Sequence, residues 1–222
     1  ATAAAWAQRE GYSLVAISFD YGQRHRVELE CAKKIAASLG ITDHVVLPID
    51  LSFFGGSALV DPDIEVPKGR TSKDMASDIP ETYVPARNTI FLSLALAMAE
   101  TRSADSIVLG VNAIDYSGYP DCRPEYLDAF QNVANLATKA GVSGRPIRIL
   151  APLISLSKTD IIRLGLQLHV DFALTNSCYD PKSSGHPCNA CDSCTLRAEG
   201  FASAGVIDPL LVKNCEQFDA HQ

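Results

Sequence analysis

Apolar positions along the chain fall into short runs separated by longer stretches of helical period, the pattern of a parallel α/β sheet. Ala1 to Arg9 reads as an Ala-rich helix closed by Gly11. Ser13 to Phe19 is an apolar run and predicts a buried strand. A polar turn, Asp20 to His25, follows directly. Val27 to Leu39 then predicts a helix and Asp43 to Ile49 a second strand, so the first unit is a parallel crossover. Asp50 to Pro80 holds Gly55, Gly56, Pro62, Pro67, Gly69 and Pro80, and reads as a long mobile loop or lid. The stretch from Pro85 to about Thr101 is apolar on nearly every side and predicts a central, buried helix. Ser106 to Val111 predicts a buried strand and Asn112 to Arg123 a polar loop at its end. Pro124 to Ala140 is amphipathic with Pro at its first position, and Ile147 to Leu150 predicts a short strand. Ser157 to Gly165 predicts a helix with Ser157 as N-cap and Asp160 three residues on. A cysteine-rich loop, Thr175 to Cys194, leads into a last helix that ends near Gly205. The fold class is an open, mostly parallel α/β sheet with helices on both faces. Its ligands bind at the carboxyl ends of the strands, where the polar clusters after Phe19 and Val111 fall.

Composition narrows the function classes. The chain has 222 residues, 47% of them hydrophobic, enough for a real core. Its net charge of −7 does not suit a broad grip on phosphate backbones, so no nucleic-acid partner is expected. The longest apolar stretch, roughly Thr89 to Glu100, is too short to span a bilayer, and no membrane partner is expected. Four of the seven cysteines crowd into one segment while Cys31, Cys122 and Cys215 are scattered. That is a metal-site pattern of a reducing compartment, not a disulfide framework, and it predicts a cytoplasmic protein.

Cys178, Cys188, Cys191 and Cys194 are spaced x9, x2 and x2. Paired Cys-x2-Cys steps let one loop wrap an ion, and four thiolates suit zinc in a closed, structural tetrahedron. The competitor is an iron–sulfur cluster, although the ferredoxin run ends in Pro and here Thr195 follows Cys194. His186 lies inside the loop as a further possible ligand. At the strand ends the chemistry is polar. Asp20-Tyr21-Gly22-Gln23-Arg24-His25 offers a carboxylate, an amide, a guanidinium and an imidazole, or is simply a solvated turn. Pro85-Ala86-Arg87-Asn88 opens a helix, whose N-terminus attracts anions, and Arg87 adds a fork for phosphate or carboxylate. Asp115-Tyr116-Ser117-Gly118-Tyr119-Pro120-Asp121-Cys122-Arg123 is dense in groups that read a planar polar ligand. Cys122 has no Cys–His motif around it and reads as a packed thiol. Lys158 opens a helix after a strand, placed for a phosphate contact or for solvent.

Together Phe19 to His25, Pro85 to Asn88, Asp115 to Arg123 and Ser177-Cys178-Tyr179 with Cys188, Cys191 and Cys194 resemble the 7-cyano-7-deazaguanine (preQ0) synthases of queuosine biosynthesis. The resemblance implies the ATP pyrophosphatase superfamily and a Rossmann-like, adenine-nucleotide α-hydrolase-type fold. It implies a ligase that joins 7-carboxy-7-deazaguanine and ammonia at the expense of ATP, with Mg2+, through an adenylated acid and an adenylated amide. By the same resemblance Cys178, Cys188, Cys191 and Cys194 hold a structural zinc. Arg87 and Lys158 are catalytic. Asp115, Tyr116, Ser117, Tyr119, Asp121 and Arg123 read the deazaguanine. Phe19, Asp20, Tyr21, Gln23, Arg24, His25 and Asn88 line the nucleotide pocket. A homodimer is implied, with residues 1–170 as the nucleotide and substrate domain and 171–222 as a zinc-binding segment. The family's first strand and its Ser-Gly-Gly-x-Asp-Ser phosphate loop are expected ahead of Ala1, because Ala1 to Trp6 looks like the helix that follows that loop. The alternatives are a tRNA-thiolating relative on the same fold and a non-enzymatic zinc-bearing module.

Overall fold

The computed structural model describes residues 1–75, 78–113 and 119–212. The elements run α1 (Thr2–Arg9), β1 (Ala16–Asp20), α2 (Val27–Ser38), β2 (His44–Pro48), α3 (Ser72–Met75), α4 (Arg87–Thr101), β3 (Ser106–Val108), α5 (Pro124–Ala137), α6 (Lys139–Val142), β4 (Arg148–Leu150), α7 (Lys158–Gln167) and α8 (Asp192–Ala204). This is the α/β alternation that the sequence pattern predicts.

The strands are parallel, but they pair two by two. β1 runs beside β2 from Ala16 opposite His44 to Asp20 opposite Pro48. β3 runs beside β4 from Ser106 opposite Arg148 to Val108 opposite Leu150. Among the described residues no ladder joins β1 to β3. The expected full burial of the strands is corrected. Every residue of β1 and β3 is half-buried.

Helix α4 also departs from expectation. It buries one stripe, Leu92, Ala95, Leu96 and Ala99, while Ser93 and Ala97 are exposed. Its apolar composition is therefore not matched by burial on all sides. The stripe meets Leu127, Phe130 and Ala134 of α5 and Ile147 in the main core. Phe91 leaves that core and stacks on Phe19 of β1, ring centroids 4.0 Å apart, tying the two strand pairs together through α4. The single amphipathic helix predicted over Pro124 to Ala140 is broken at Thr138. Its backbone is extended, and its hydroxyl accepts from Gly141 N–H, capping a new helix. The Ser157 cap is as predicted: Ser157 Oγ accepts from Asp160 N–H at 3.1 Å.

The segment between β2 and α4, predicted as a mobile lid, is docked over much of its length. Leu51, Ser57, Ala58, Leu59, Val60 and Val66 are buried. Leu51, Leu59 and Val60 pack on Tyr21 and Val84, whereas Ala58 and Val66 pack on the cysteine cluster. Its glycines and prolines shape turns around these anchors, so apolar burial overrides the compositional signal of a free loop.

The C-terminal segment packs on α7 and α1. Ala5, Ile162, Val170, Phe172 and Phe201 form one core, and Arg197 grips Asp208 with two bonds of 2.6 and 2.8 Å. Gly165 lets this core close. A Cβ there would stand 2.4 Å from Phe172 Cζ and 2.8 Å from Thr2 Oγ1. Phe172 cannot yield, because its ring is held edge-on against Phe201. Gly165→Ala therefore gains ~1 kcal/mol of helix propensity but incurs overpacking of ~1–3 kcal/mol. Urea unfolding should show a net loss of up to about 2 kcal/mol, with the midpoint lowered and the slope unchanged.

Candidate active site and metal centre

The turn after β1 is built around Gln23, which is 1% exposed. Its carbonyl accepts from Tyr21 N–H at 2.7 Å, and its amide donates to Phe19 O at 3.1 Å and Glu28 Oε1 at 2.9 Å. The amide is spent on the turn itself, so Gln23 acts as a latch. Asp20 takes the guanidinium of Arg26. Arg24 reaches sideways and donates to Asp61 O and Ile64 O, both at 3.1 Å, holding the docked segment. The latch turns Tyr21 and His25 inward. Tyr21 is 3% exposed, and His25 Nε2 lies 3.3 Å from Glu28 Oε2 and 3.5 Å from Tyr21 Oη. Burial opposes ionisation of Glu28, but its contacts with His25 and Gln23 outweigh that and hold its pKa below the usual carboxylate range.

Arg87 stands over this cluster. Its Nη1 is 3.5 Å from Tyr21 Oη, and its guanidinium carbon is 6.0 Å from the centre of the Tyr21 ring. Burial disfavours its charge, yet the phenols of Tyr21, Tyr119 and Tyr179 more than offset this and raise its pKa. Among the described residues Arg87 makes no ion pair. A half-buried guanidinium ringed by phenols, with no carboxylate at ion-pair distance among the described residues, is suited to an incoming anion. Tyr119 is anchored by Thr82, Oη to Oγ1 at 2.8 Å, and lies 3.5 Å from Tyr179 Oη.

The N-terminus of α4 is not open to a ligand as the sequence pattern suggests. Asp121, 6% exposed, accepts from Asn88 N–H at 3.0 Å and so supplies the anion there itself. The Asn88 side chain donates to Asp121 O at 3.1 Å and Cys122 Sγ at 3.2 Å. Cys122 is the packed thiol that the sequence implies, its pKa pushed up to about 11 by burial and by Asp121. Arg123 donates to Pro120 O within its own turn. Lys158 lies at the start of α7, its stem against Gly200 of α8. Asp115, Tyr116 and Ser117 fall outside the described residues.

The structure thus gathers Tyr21, His25, Arg87 and Tyr119, and turns Gln23, Asn88, Asp121 and Arg123 to holding loops. Thr82 and Glu28 join the cluster without having been singled out, and Tyr179, named only for the family resemblance, joins it without having been given a site role. Glu28 could have been noticed as a carboxylate one helical turn after His25, and Tyr179 as the neighbour of a metal ligand. Thr82 carries no sequence signal.

The four sulfurs of Cys178, Cys188, Cys191 and Cys194 lie within 4.8 Å of one another. They converge on one point, which fits a single tetrahedral ion. A polynuclear cluster needs its thiolates on separate irons. Backbone donors are aimed at the sulfurs: Cys188 N–H to Cys178 Sγ at 3.2 Å and Cys191 N–H to Cys188 Sγ at 3.3 Å. Such bonds stabilise thiolates. The Cys178 and Cys194 thiols hold Cys191 below the usual thiol range. His186 is outside the tetrad and bonds Ser184 Oγ at 2.7 Å. The donor set and spacing suit zinc, with no position left for water.

The family model described as "Queuosine biosynthesis protein QueC" matches residues 1–205. The chain belongs to the QueC family. It is similar to the "7-cyano-7-deazaguanine synthase" of Kineococcus radiotolerans, 59% identical over 209 residues that cover 94% of this chain and 91% of the relative. It is also similar to the proteins of that name from Desulfatibacillum aliphaticivorans, 60% identical over 210 residues (94% and 90% covered), and Frankia casuarinae, 59% identical over 210 residues (94% and 87% covered). QueC members have the adenine-nucleotide α-hydrolase-like fold, which the parallel strands and flanking helices match.

Tyr21 gives a pH test of this site. Burial pushes its pKa up from 10.0 to about 12. Between those values the folded state holds a proton that the unfolded state has lost. Stability from this group is complete below pH 10 and declines as pH rises toward 12. The difference in phenolate absorbance between wild type and Tyr21→Phe should titrate near 12, not 10.

Proposed function

We propose that this chain is an ATP-dependent ligase that converts 7-carboxy-7-deazaguanine and ammonia into 7-cyano-7-deazaguanine. The observation that carries the reading is the identity of about 59% to a synthase of that name across 94% of the chain. The chemistry asks for what the cluster offers. A carboxylate oxygen is a poor leaving group, so it is transferred to AMP with release of pyrophosphate. Ammonia displaces AMP to give the amide. A second ATP then adenylates the amide oxygen, and loss of AMP with two N–H protons leaves the nitrile. Each step needs a cation facing an anionic oxygen and reactants held in place.

In this reading Arg87 receives the carboxylate or α-phosphate, while Tyr21 and Tyr119 fix its orientation. Tyr119 and the 115–117 stretch read the deazaguanine. Residues 19–25 flank the nucleotide, and Lys158 serves its phosphates. Zinc supplies fold, not chemistry, since four thiolates saturate it. Residues 1–170 carry substrate and nucleotide, and 171–222 carry the metal loop. The reading includes a homodimer and a cytoplasmic setting, where the thiols stay reduced. No helix among the described residues is long and apolar enough to cross a membrane.

The test is release of AMP and pyrophosphate that depends on both 7-carboxy-7-deazaguanine and ammonia, with nitrile identified by mass. Two AMP per nitrile are expected, and no turnover would overturn the reading. Arg87→Ala should lower kcat/KM by about a hundredfold while the fold is kept. Unchanged kinetics would remove Arg87 from the chemistry.

A further inference from the structure

The metal loop touches the docked segment and the Arg87 cluster at once, and the links run through three consecutive residues. Cys178 is in the thiolate tetrad. Tyr179 packs both in the Tyr21 cluster and in the cysteine cluster, with its ring 6.0 Å from that of His25. Asp180 accepts from Lys68 Nζ at 2.8 Å and lies 3.9 Å from Arg24 Nη1. Arg24 and Lys68 are anchors of residues 57–70: Arg24 holds Asp61 O and Ile64 O, and its own N–H donates to Leu59 O at 2.8 Å.

The far side of the loop repeats the arrangement. Lys68 pairs with Cys191 in an antiparallel bridge, and Gly69 N–H donates to Ala190 O at 2.9 Å. Arg70 donates to Asp192 Oδ2 at 3.1 Å, and Asp192 is 2% exposed. Residues 68–70 are therefore stitched to 190–192 by a β-bridge, a backbone hydrogen bond and one ion pair, each within a residue or two of a ligand. Beside this seam lies an open groove of about 820 Å³ lined by Arg24, Lys68, Arg70 and Asp180, among others. Solvent reaches the segment as soon as the links open.

We infer that the metal loop is a positioning element of the active site, and that Asp180 is its positioning residue. Ligation at Cys178 and Cys191 sets Asp180 and residues 190–192, which hold residues 57–70. That segment supplies Leu59 and Val60, which wall the pocket of Tyr21 beneath Arg87. Without the metal, four thiols no longer converge, and the segment loses its anchors although the two strand pairs do not.

Amide hydrogen exchange on the full chain tests this, metal-loaded against chelated. The Gly69 and Arg24 amides should exchange about tenfold or more faster after chelation, while Leu109 and Arg148, bonded across β3 and β4, stay within about twofold. Equal protection at Gly69 and Arg24 would overturn the inference, as would equal loss at Leu109 and Arg148. Asp180→Asn should keep its zinc, speed exchange at Arg24 by about threefold, and raise KM for the carboxylate substrate more than it lowers kcat; Asp180→Glu should restore both. Wild-type protection in Asp180→Asn, or no rescue, would overturn the role of Asp180. Only the KM arm rests on the proposed ligase activity. An absence of turnover sinks that activity and leaves the exchange result to decide this inference.

Discussion

Four sulfurs within 4.8 Å of one another cannot all be thiolates unless a cation lies between them. This electrostatic constraint orders a stretch that has little else to order it. The 175–191 region is mostly polar and contributes few buried apolar residues besides the cysteines themselves. Once the thiolates converge, Tyr179 faces the Tyr21 pocket, Asp180 meets Lys68, and Ala190 to Asp192 present an edge that residues 68–70 can pair with. Metal binding is thereby converted into local tertiary structure, at the end of the fold where the strand termini gather their polar groups.

The second constraint is the charge on Arg87. A guanidinium lined by Tyr21, Tyr119 and Tyr179 is held by neutral dipoles that orient it without cancelling it. The nearby acids are occupied elsewhere: Glu28 by His25 and Gln23, and Asp121 by the N-terminus of α4. A carboxylate in place of any phenol would have filled the site with an internal ion pair. The division of labour is consistent. Acids close turns and helix ends, while Arg87, without an ion pair among the described residues, stands over the Tyr21 ring.

What the sequence made legible was local. Cysteine spacing announces the tetrad because ligands on one loop need only short reach. Ser157 and Asp160 announce a helix start because the cap is made within one turn. The alternation of strands and helices was readable for the same reason. The docked 57–70 segment was not, since Lys68 and Cys191 are far apart in sequence and nothing in a Gly- and Pro-containing stretch says which surface it will meet. The bond from Asn88 N–H to Asp121 was not legible either, because the density of polar neighbours around Asp121 is the same whether it faces a base or a backbone N–H. The break at Thr138 hides in an amphipathic period that continues across it. The pairing of strands two by two is likewise a property of partners, not of any strand's own residues.

X-ray absorption at the zinc edge, on the protein at rest and again with 7-carboxy-7-deazaguanine, ATP and ammonia present, tests the central claim most directly. A saturated structural metal predicts four sulfur neighbours at about 2.3 Å in both states. Replacement of a sulfur by an oxygen or nitrogen neighbour under turnover would show the metal taking part in the chemistry and would contradict the account.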